Sequence, residues 1–181
     1  MRTPLPSSWW LLPLAALSLS ACSRSSLAPG SRFVRCDNPT SDYSIAYPSG
    51  WIANSPGQIE PCRFFHPSPF TVQPGTEEPP LAVSVKREPL SLQEFIQGNT
   101  GPGYDVLQQE RVTLAGQPAV LLELRTTDES TFLPPGTREY VYAVSAGPNA
   151  LVRVGTLDVP GLDYSLHKDV VDQMVRTLQL H

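Results

Sequence analysis

The second half of the chain carries four strand-rich segments separated by turn signals. The segments 104–114, 117–127, 138–146 and 150–157 are rich in β-branched and aromatic residues. They are separated by the turn signals Ala115-Gly116, Pro134-Pro135-Gly136 and Gly147-Pro148-Asn149. This spacing predicts an antiparallel meander of hairpins. Within it Val120, Leu122 and Leu124 share one face, and Tyr142 and Val144 are expected to meet Val152 and Val154 across the last hairpin. Glu123, Arg125 and Arg153 suit the opposite, wetter face. Earlier in the chain the signals are shorter. Tyr43-Ser44-Ile45-Ala46-Tyr47 alternates and stops at the turn Pro48-Ser49-Gly50, ahead of Trp51-Ile52. Arg63-Phe64-Phe65-His66 and Leu81-Ala82-Val83-Ser84-Val85 are two further strand candidates. Between them the stretch 67–80 holds five prolines and the pair Glu77-Glu78. Proline cannot donate to a ladder, so an exposed loop is expected there.

Helical spacing takes over twice. Ser91 with Glu94 three residues on has the spacing of a capping box, which predicts a short helix over 91–98 ended by Gly98. From 163 to 178, Leu166, Val170, Val171, Met174, Val175 and Leu178 fall on one side, with Lys168, Asp169, Asp172 and Arg176 opposite. This predicts a final helix with one apolar face. Two helices and six or seven mostly antiparallel strands make an α+β layered domain, the last helix covering one sheet face.

Residues 1–22 follow another pattern. A basic start, Met1-Arg2, leads into an apolar run around Trp9-Trp10-Leu11-Leu12 and then to the small residues Ser20-Ala21. The run is well short of the ~20 residues that a bilayer span requires, so residues 1–21 read as a signal peptide. Its end, Leu19-Ser20-Ala21-Cys22, resembles the bacterial lipobox, whose cysteine receives a diacylglyceryl group before cleavage. The alternative is an ordinary secretory leader with an incidental cysteine. Lipidation of Cys22 implies a membrane partner and a lipid-anchored, extracytoplasmic location at the cell membrane or the outer membrane. Residues 22–33 then form a flexible tether, whose residues 23–32 at ~3.3–3.6 Å each hold the domain of residues 34–181 within about 35 Å of the bilayer.

With Cys22 acylated, Cys36 and Cys62 are the remaining thiols among the three. In an oxidising compartment such a pair is expected to join. Closing a loop of that length stabilises by roughly 3–4 kcal/mol in the chain-entropy account. A two-cysteine metal site would need more ligands than the nearby His66 supplies. Formal charge is −4, and no Lys/Arg cluster offers a footprint for phosphate, so nucleic acid is not an expected partner.

The run Asp42-Tyr43-Ser44-Ile45-Ala46-Tyr47-Pro48-Ser49-Gly50-Trp51 resembles the opening strand of the Mog1/PsbP-like superfamily. Leu90-Ser91 before the middle helix, Leu114-Ala115-Gly116-Gln117-Pro118-Ala119 and the closing Arg176-Thr177-Leu178 resemble the same pattern in the same order, over about residues 40–180. The resemblance implies an α/β/α sandwich around a mostly antiparallel sheet of six to seven strands. It also implies a protein that binds and organises other macromolecules rather than one that catalyses.

Candidate chemistry is sparse. The G-x-S-x-G elbow of a serine nucleophile is absent, as are phosphate-binding glycine loops and the H-E-x-x-H and C-x-x-C spacings. His66, His167 and His181 are the three histidines. His167 falls on the apolar side of the last helix and reads as a packing residue; His66, beside the proline-rich loop, suits a structural or partner-binding role better than chemistry. Glu77-Glu78 reads as a solvated pair rather than a calcium site. The aromatics Tyr43, Tyr47, Trp51, Phe64 and Phe65 are first of all core candidates. If they build a site, it lies where they meet the loop 67–80, with Tyr47, Trp51, Phe65, His66 and Phe70 as its residues. No catalytic residue, metal or cofactor is expected. The leading functional expectation is a non-catalytic binding or assembly module for an envelope protein complex. A carrier or sensor of a small apolar ligand or lipid comes second, and a hydrolase using His66 or His167 comes last.

Overall fold

The computed structural model describes residues 32–57, 59–72 and 81–181. The expected leader, the expected lipobox with Cys22, the expected tether up to Ser31, and residues 73–80 with Glu77-Glu78 lie outside the described residues. In chain order the first half contains β1 (Phe33–Asn38), β2 (Tyr43–Pro48), β3 (Ile52–Ala53), β4 (Phe64–His66), β5 (Val83–Glu88) and α1 (Leu92–Asn99). The second half contains β6 (Tyr104–Leu114), β7 (Gln117–Thr126), β8 (Arg138–Gly147), β9 (Ala150–Leu157), α2 (Tyr164–Val175) and β10 (Gln179–Leu180). Seven strands form one antiparallel sheet in the order β3-β4-β5-β9-β8-β7-β6. Three more form a small sheet, β1-β2-β10.

Strict alternation on the central strands creates two cores, one on each face of the large sheet. Ala119, Leu121, Val144, Val152 and Val154 point to one face, where Val170, Val171 and Met174 of α2 cover them. Val120, Leu122, Leu124, Val141 and Leu151 point to the other, beneath Phe95 of α1. The result is the α/β/α layering that the resemblance implies. The final hairpin has the expected partners, with Tyr142 opposite Val154 and Val144 opposite Val152. At Gly155 a Cβ would lie 2.9 Å from the Tyr140 carbonyl oxygen, so only glycine allows β8 and β9 to approach there.

Both helices start as their sequences suggest. The Ser91 hydroxyl accepts from the Glu94 N–H at 3.2 Å, and the Glu94 carboxylate accepts from the Ser91 N–H at 2.7 Å, completing the capping box. Asp163 caps α2 by accepting from the Leu166 N–H at 3.0 Å. That helix stops at Val175, short of the expected Leu178, because the chain turns into β10. There Gln179 and Leu180 pair with Ser44 and Tyr43 of β2.

The small sheet is the main departure from the expected layout. Strands β1, β3 and β10 carry too few alternating residues to announce themselves, and Phe33, expected to end the tether, is the first residue of β1. Tyr43 and Ile45 of β2 are fully buried in the same core as Met174 and Leu178, and the Ala46 N–H donates to Thr177 Oγ1 at 2.8 Å. The Cys36–Cys62 disulfide spans 5.8 Å between Cα atoms and ties β1 to the residues just before β4. Strand β5 begins two residues later than expected and runs on to Glu88.

Two side chains expected on the wetter face lie elsewhere. Arg153 stands opposite Ala143, on the α1 face shared with Val141 and Leu151, and is accommodated there by Glu88 at 3.5 Å and by Glu139. Glu123 lies under α2 and accepts from Lys168 Nζ at 2.6 Å and from the Tyr164 hydroxyl at 3.1 Å. Arg125 does remain exposed, paired with Asp105 at 2.9 Å.

Candidate functional site

The candidate site lies beside β3, an edge strand of the large sheet, and its shape follows from one asparagine. Asn54 Oδ1 accepts from the backbone N–H groups of Arg63 (3.0 Å) and Phe64 (2.8 Å), while Nδ2 donates to the Glu60 carbonyl at 2.8 Å. The side chain thus replaces ladder bonds that the short strand β3 cannot make, and it closes the loop between residues 54 and 64. A second latch comes from Asn38, buried at 1% exposure, whose Nδ2 donates to Glu60 Oε2 at 3.2 Å. Cys62 adopts a left-handed φ of 61°, and its disulfide to Cys36 holds it in that uncommon conformation.

Between this loop and the chain after β4 lies a cleft of about 400 Å³. Four consecutive residues, Ile52, Ala53, Asn54 and Ser55, line one side, and Phe70, Thr71 and Val72 line another, with Ile59 completing it. No Asp, Glu, Lys, Arg or His is among these residues. The Asn54 N–H donates to the Phe64 carbonyl at 3.1 Å, and Ile52 and Ala53 stand opposite His66 and Phe65. In an antiparallel ladder hydrogen-bonded pairs alternate, so the N–H and C=O of Ala53 point away from β4.

The aromatic residues singled out in the sequence divide between this cleft and the core. Phe70 lines the cleft, and His66 meets it edge-on with ring centroids 6.1 Å apart. Trp51, half-buried one residue before β3, meets His167 of α2 edge-on at 5.5 Å. Tyr47 and Phe65 pack against each other at 5.1 Å as part of the main core, and Phe65 is fully buried. Asn54, Ile59, Thr71 and Val72 carry no periodic signal in the sequence and were not singled out there.

His66 Nδ1 lies 3.0 Å from both the N–H nitrogen and the carbonyl oxygen of Ser68, so its tautomer sets whether it accepts from the one or donates to the other. His167 is 3% exposed, and its Nδ1 has no hydrogen-bond partner. Burial pushes its pKa below the usual histidine value; Asp163 opposes this, and the nearby His66 adds to it. Among the described residues no group of three or more His, Cys, Asp or Glu side chains is placed to hold a metal ion.

The other polar cluster fastens α2 to the sheet. Asp172 accepts from the hydroxyls of Tyr140 (2.8 Å) and Tyr142 (2.9 Å), and Lys168 Nζ lies 4.5 Å from the Tyr140 ring centre. Burial raises the pKa values of Tyr140, Tyr142 and Tyr164 above the usual tyrosine value, and the facing carboxylates of Asp172 and Glu123 raise them further.

The start of the described chain lies near the cleft. The Arg32 carbonyl accepts from the Ser49 N–H at 2.8 Å, and the Trp51 N–H donates to the Pro48 carbonyl at 2.8 Å. The residues before Arg32 therefore join the fold at the turn that leads into β3.

No protein-family model matches the chain, and no curated protein sequence matches it significantly. Among solved structures the chain is similar to the cyanobacterial PsbP (CyanoP) of Synechocystis sp. PCC 6803. That pair has a TM-score of 0.48 and 11% identity, covering 85% of this chain and 95% of that one. It is also similar to a protein of Bacteroides thetaiotaomicron VPI-5482, with a TM-score of 0.39 and 11% identity over 77% of this chain and 45% of that one.

Proposed function

We propose that the chain is a membrane-anchored extracytoplasmic lipoprotein whose folded part is a non-catalytic binding or assembly module for a protein complex of the cell envelope. The leader 1–21 would be removed and Cys22 acylated, with two or three chains holding the protein on its membrane. The observation that carries this reading is the cleft between residues 52–55 and 70–72, whose described lining residues carry no charge, a few residues from the point where the N-terminal segment joins the fold. Such a lining can hold a partner, and among the described residues it offers no Asp, Glu, Lys, Arg or His for proton transfer. Its position at the tether end keeps it within about 35 Å of the bilayer, in reach of other envelope proteins. A second reading, a carrier of a small apolar ligand, is favoured by the cleft volume of about 400 Å³, inside the roughly 300–1,000 Å³ typical of ligand pockets.

The test is photo-cross-linking in living cells, with a photoreactive amino acid replacing Phe70 in the full chain. Intact mass is then measured on the membrane extract. The expected outcome is a discrete protein adduct on a chain that begins at an acylated Cys22. An adduct of lipid mass would replace the leading reading with the carrier. A chain retaining Met1, or no reproducible adduct at all, would defeat both.

A further inference from the structure

The cleft is lined by residues that follow one another along the chain, 52 to 55 on one wall and 70 to 72 on the other. A pocket on one face of a strand takes every second residue, because neighbouring side chains point to opposite faces. Both residues of β3, Ile52 and Ala53, line the cleft although they point to opposite faces, and Asn54 and Ser55 beyond the strand continue that wall, so the cleft borders the outer edge of β3 as a slot between two lengths of backbone. Ala53 turns its N–H and C=O toward that outer side, so among the described residues an unused ladder position borders the slot.

From this geometry we propose that the slot binds an extended, uncharged segment of a partner protein by strand addition to β3, with Ala53 supplying the backbone hydrogen bonds. The inference rests on the binding reading above and names its ligand. Main-chain pairing gives such complexes their affinity, and pockets for alternate side chains give them selectivity. Here the flanking surfaces are Ile52, Ile59, Phe70 and Val72, which suit apolar side chains at alternate positions. Thr71 and Ser55 can serve the positions between. Among the described residues neither wall carries a charge, so a charged side chain entering the slot would lose hydration without a charged partner there. Ile52 is also one of the large apolar residues that the fold leaves exposed, at 39%.

The test uses the full chain in its membrane, with a photoreactive amino acid at Thr71 and, in a separate strain, at Leu107 on β6. The cross-linked partner segment is mapped by mass spectrometry. A capped synthetic peptide of that segment is then titrated against the detergent-extracted full chain and its variants. We expect an uncharged segment of alternating apolar residues. Ala53→Pro, which removes the outward N–H but keeps the β4 side of the ladder, should weaken the peptide about tenfold, the scale of one lost hydrogen bond. Ala53→Ser should bind as the parent does. Thr71→Arg, which leaves β3 untouched, should also weaken binding about tenfold or more through the buried charge, so a folding defect in the proline variant does not rescue or sink the idea. A charged or helical segment, an adduct to residues 23–31 of the same chain, or a peptide indifferent to both Ala53→Pro and Thr71→Arg would overturn the proposal. A protein adduct at Leu107 and none at Thr71 would overturn it while leaving the binding reading standing; no protein adduct at either position would overturn both.

Discussion

At one edge of the large sheet β6 runs for eleven residues, and at the other β3 runs for two. The longer edge is guarded. Its register breaks between Val106 and Gln108, and the exposed charges of Asp105, Glu110 and Arg111 stand along it. Bulges and charges on an edge strand discourage pairing with another chain. The apolar side chains exposed there, Val106 at 41% and Leu107 at 46%, sit where the ladder is already disrupted. The shorter edge carries no charge and no bulge. It is limited instead by its length, and beside it the fold maintains an uncharged cleft. Two different devices therefore control the two edges, and only one of them leaves room for a neutral backbone to approach.

That contrast is sharpest in what holds each edge in place. The β6 edge is held along its length by the hairpin with β7, whereas the β3 edge is tied by the Cys36–Cys62 bridge and by Asn54. Replacing both cysteines, Cys36→Ala with Cys62→Ala, should have the largest effect. Urea unfolding is expected to show a loss of about 3–4 kcal/mol. Amide exchange should accelerate between residues 52 and 66 while the β6–β7 hairpin stays protected. Equal acceleration at both edges would break the comparison.

Asn54→Ala comes next. It leaves the N–H groups of Arg63 and Phe64 and the carbonyl of Glu60 without their side-chain partner. The expected cost is about 2–3 kcal/mol by the same measurement. Gln109→Ala, on the exposed β6 edge, should stay within about 0.5 kcal/mol of the parent. If the two variants lost stability equally, the asparagine would not be the latch described here.

The smallest effect concerns pH. His167, against Trp51 behind the β3 edge, has its pKa pushed below the usual histidine value of 6.5 by burial. The unfolded chain then binds a proton that the folded chain resists, so stability rises with pH wherever the two differ. His167 contributes fully above about pH 6.5, and its contribution is lost as the pH falls through the folded value. His167→Gln should flatten this acid-side decline in melting temperature, with both proteins compared between pH 7 and pH 5. A variant declining as steeply as the parent would show that His167 is not the group responsible.

Much of the fold was legible because its signals are local. The β6–β9 meander announced itself through strand-rich segments between turn residues. Helix α1 did so through the Ser91 and Glu94 capping box, and α2 through Val170, Val171 and Met174 at helical spacing. The pairing of Cys36 with Cys62 followed from the number of cysteines and the expected compartment. The candidate site was legible only in part. Phe70 lines the cleft and His66 packs against it, whereas Trp51 packs on His167 of α2. Tyr47 and Phe65, of the same chemistry, went to the core, where β2 and β4 bring their rings together, tilted, at 5.1 Å. Arg153 shows the same limit. Its charge suggested a wet face, yet the alternation of β9 set its direction and Glu88 and Glu139 made that position tolerable.

By itself, then, the amino-acid sequence determined the strands of the β6–β9 meander and the two helices, the apolar face of α2, where the helices begin and which cysteines join. Those properties depend on neighbours within a few residues or on a count of groups. Tertiary structure alone decided that β1, β2 and β10 form a sheet of their own, that β3 is an edge, and that Ile52–Ser55 faces Phe70–Val72 across a slot. These features come from pairings between segments far apart in the chain, and their backbone hydrogen bonds are the same whatever side chains the partners carry, so no local pattern marks them in advance.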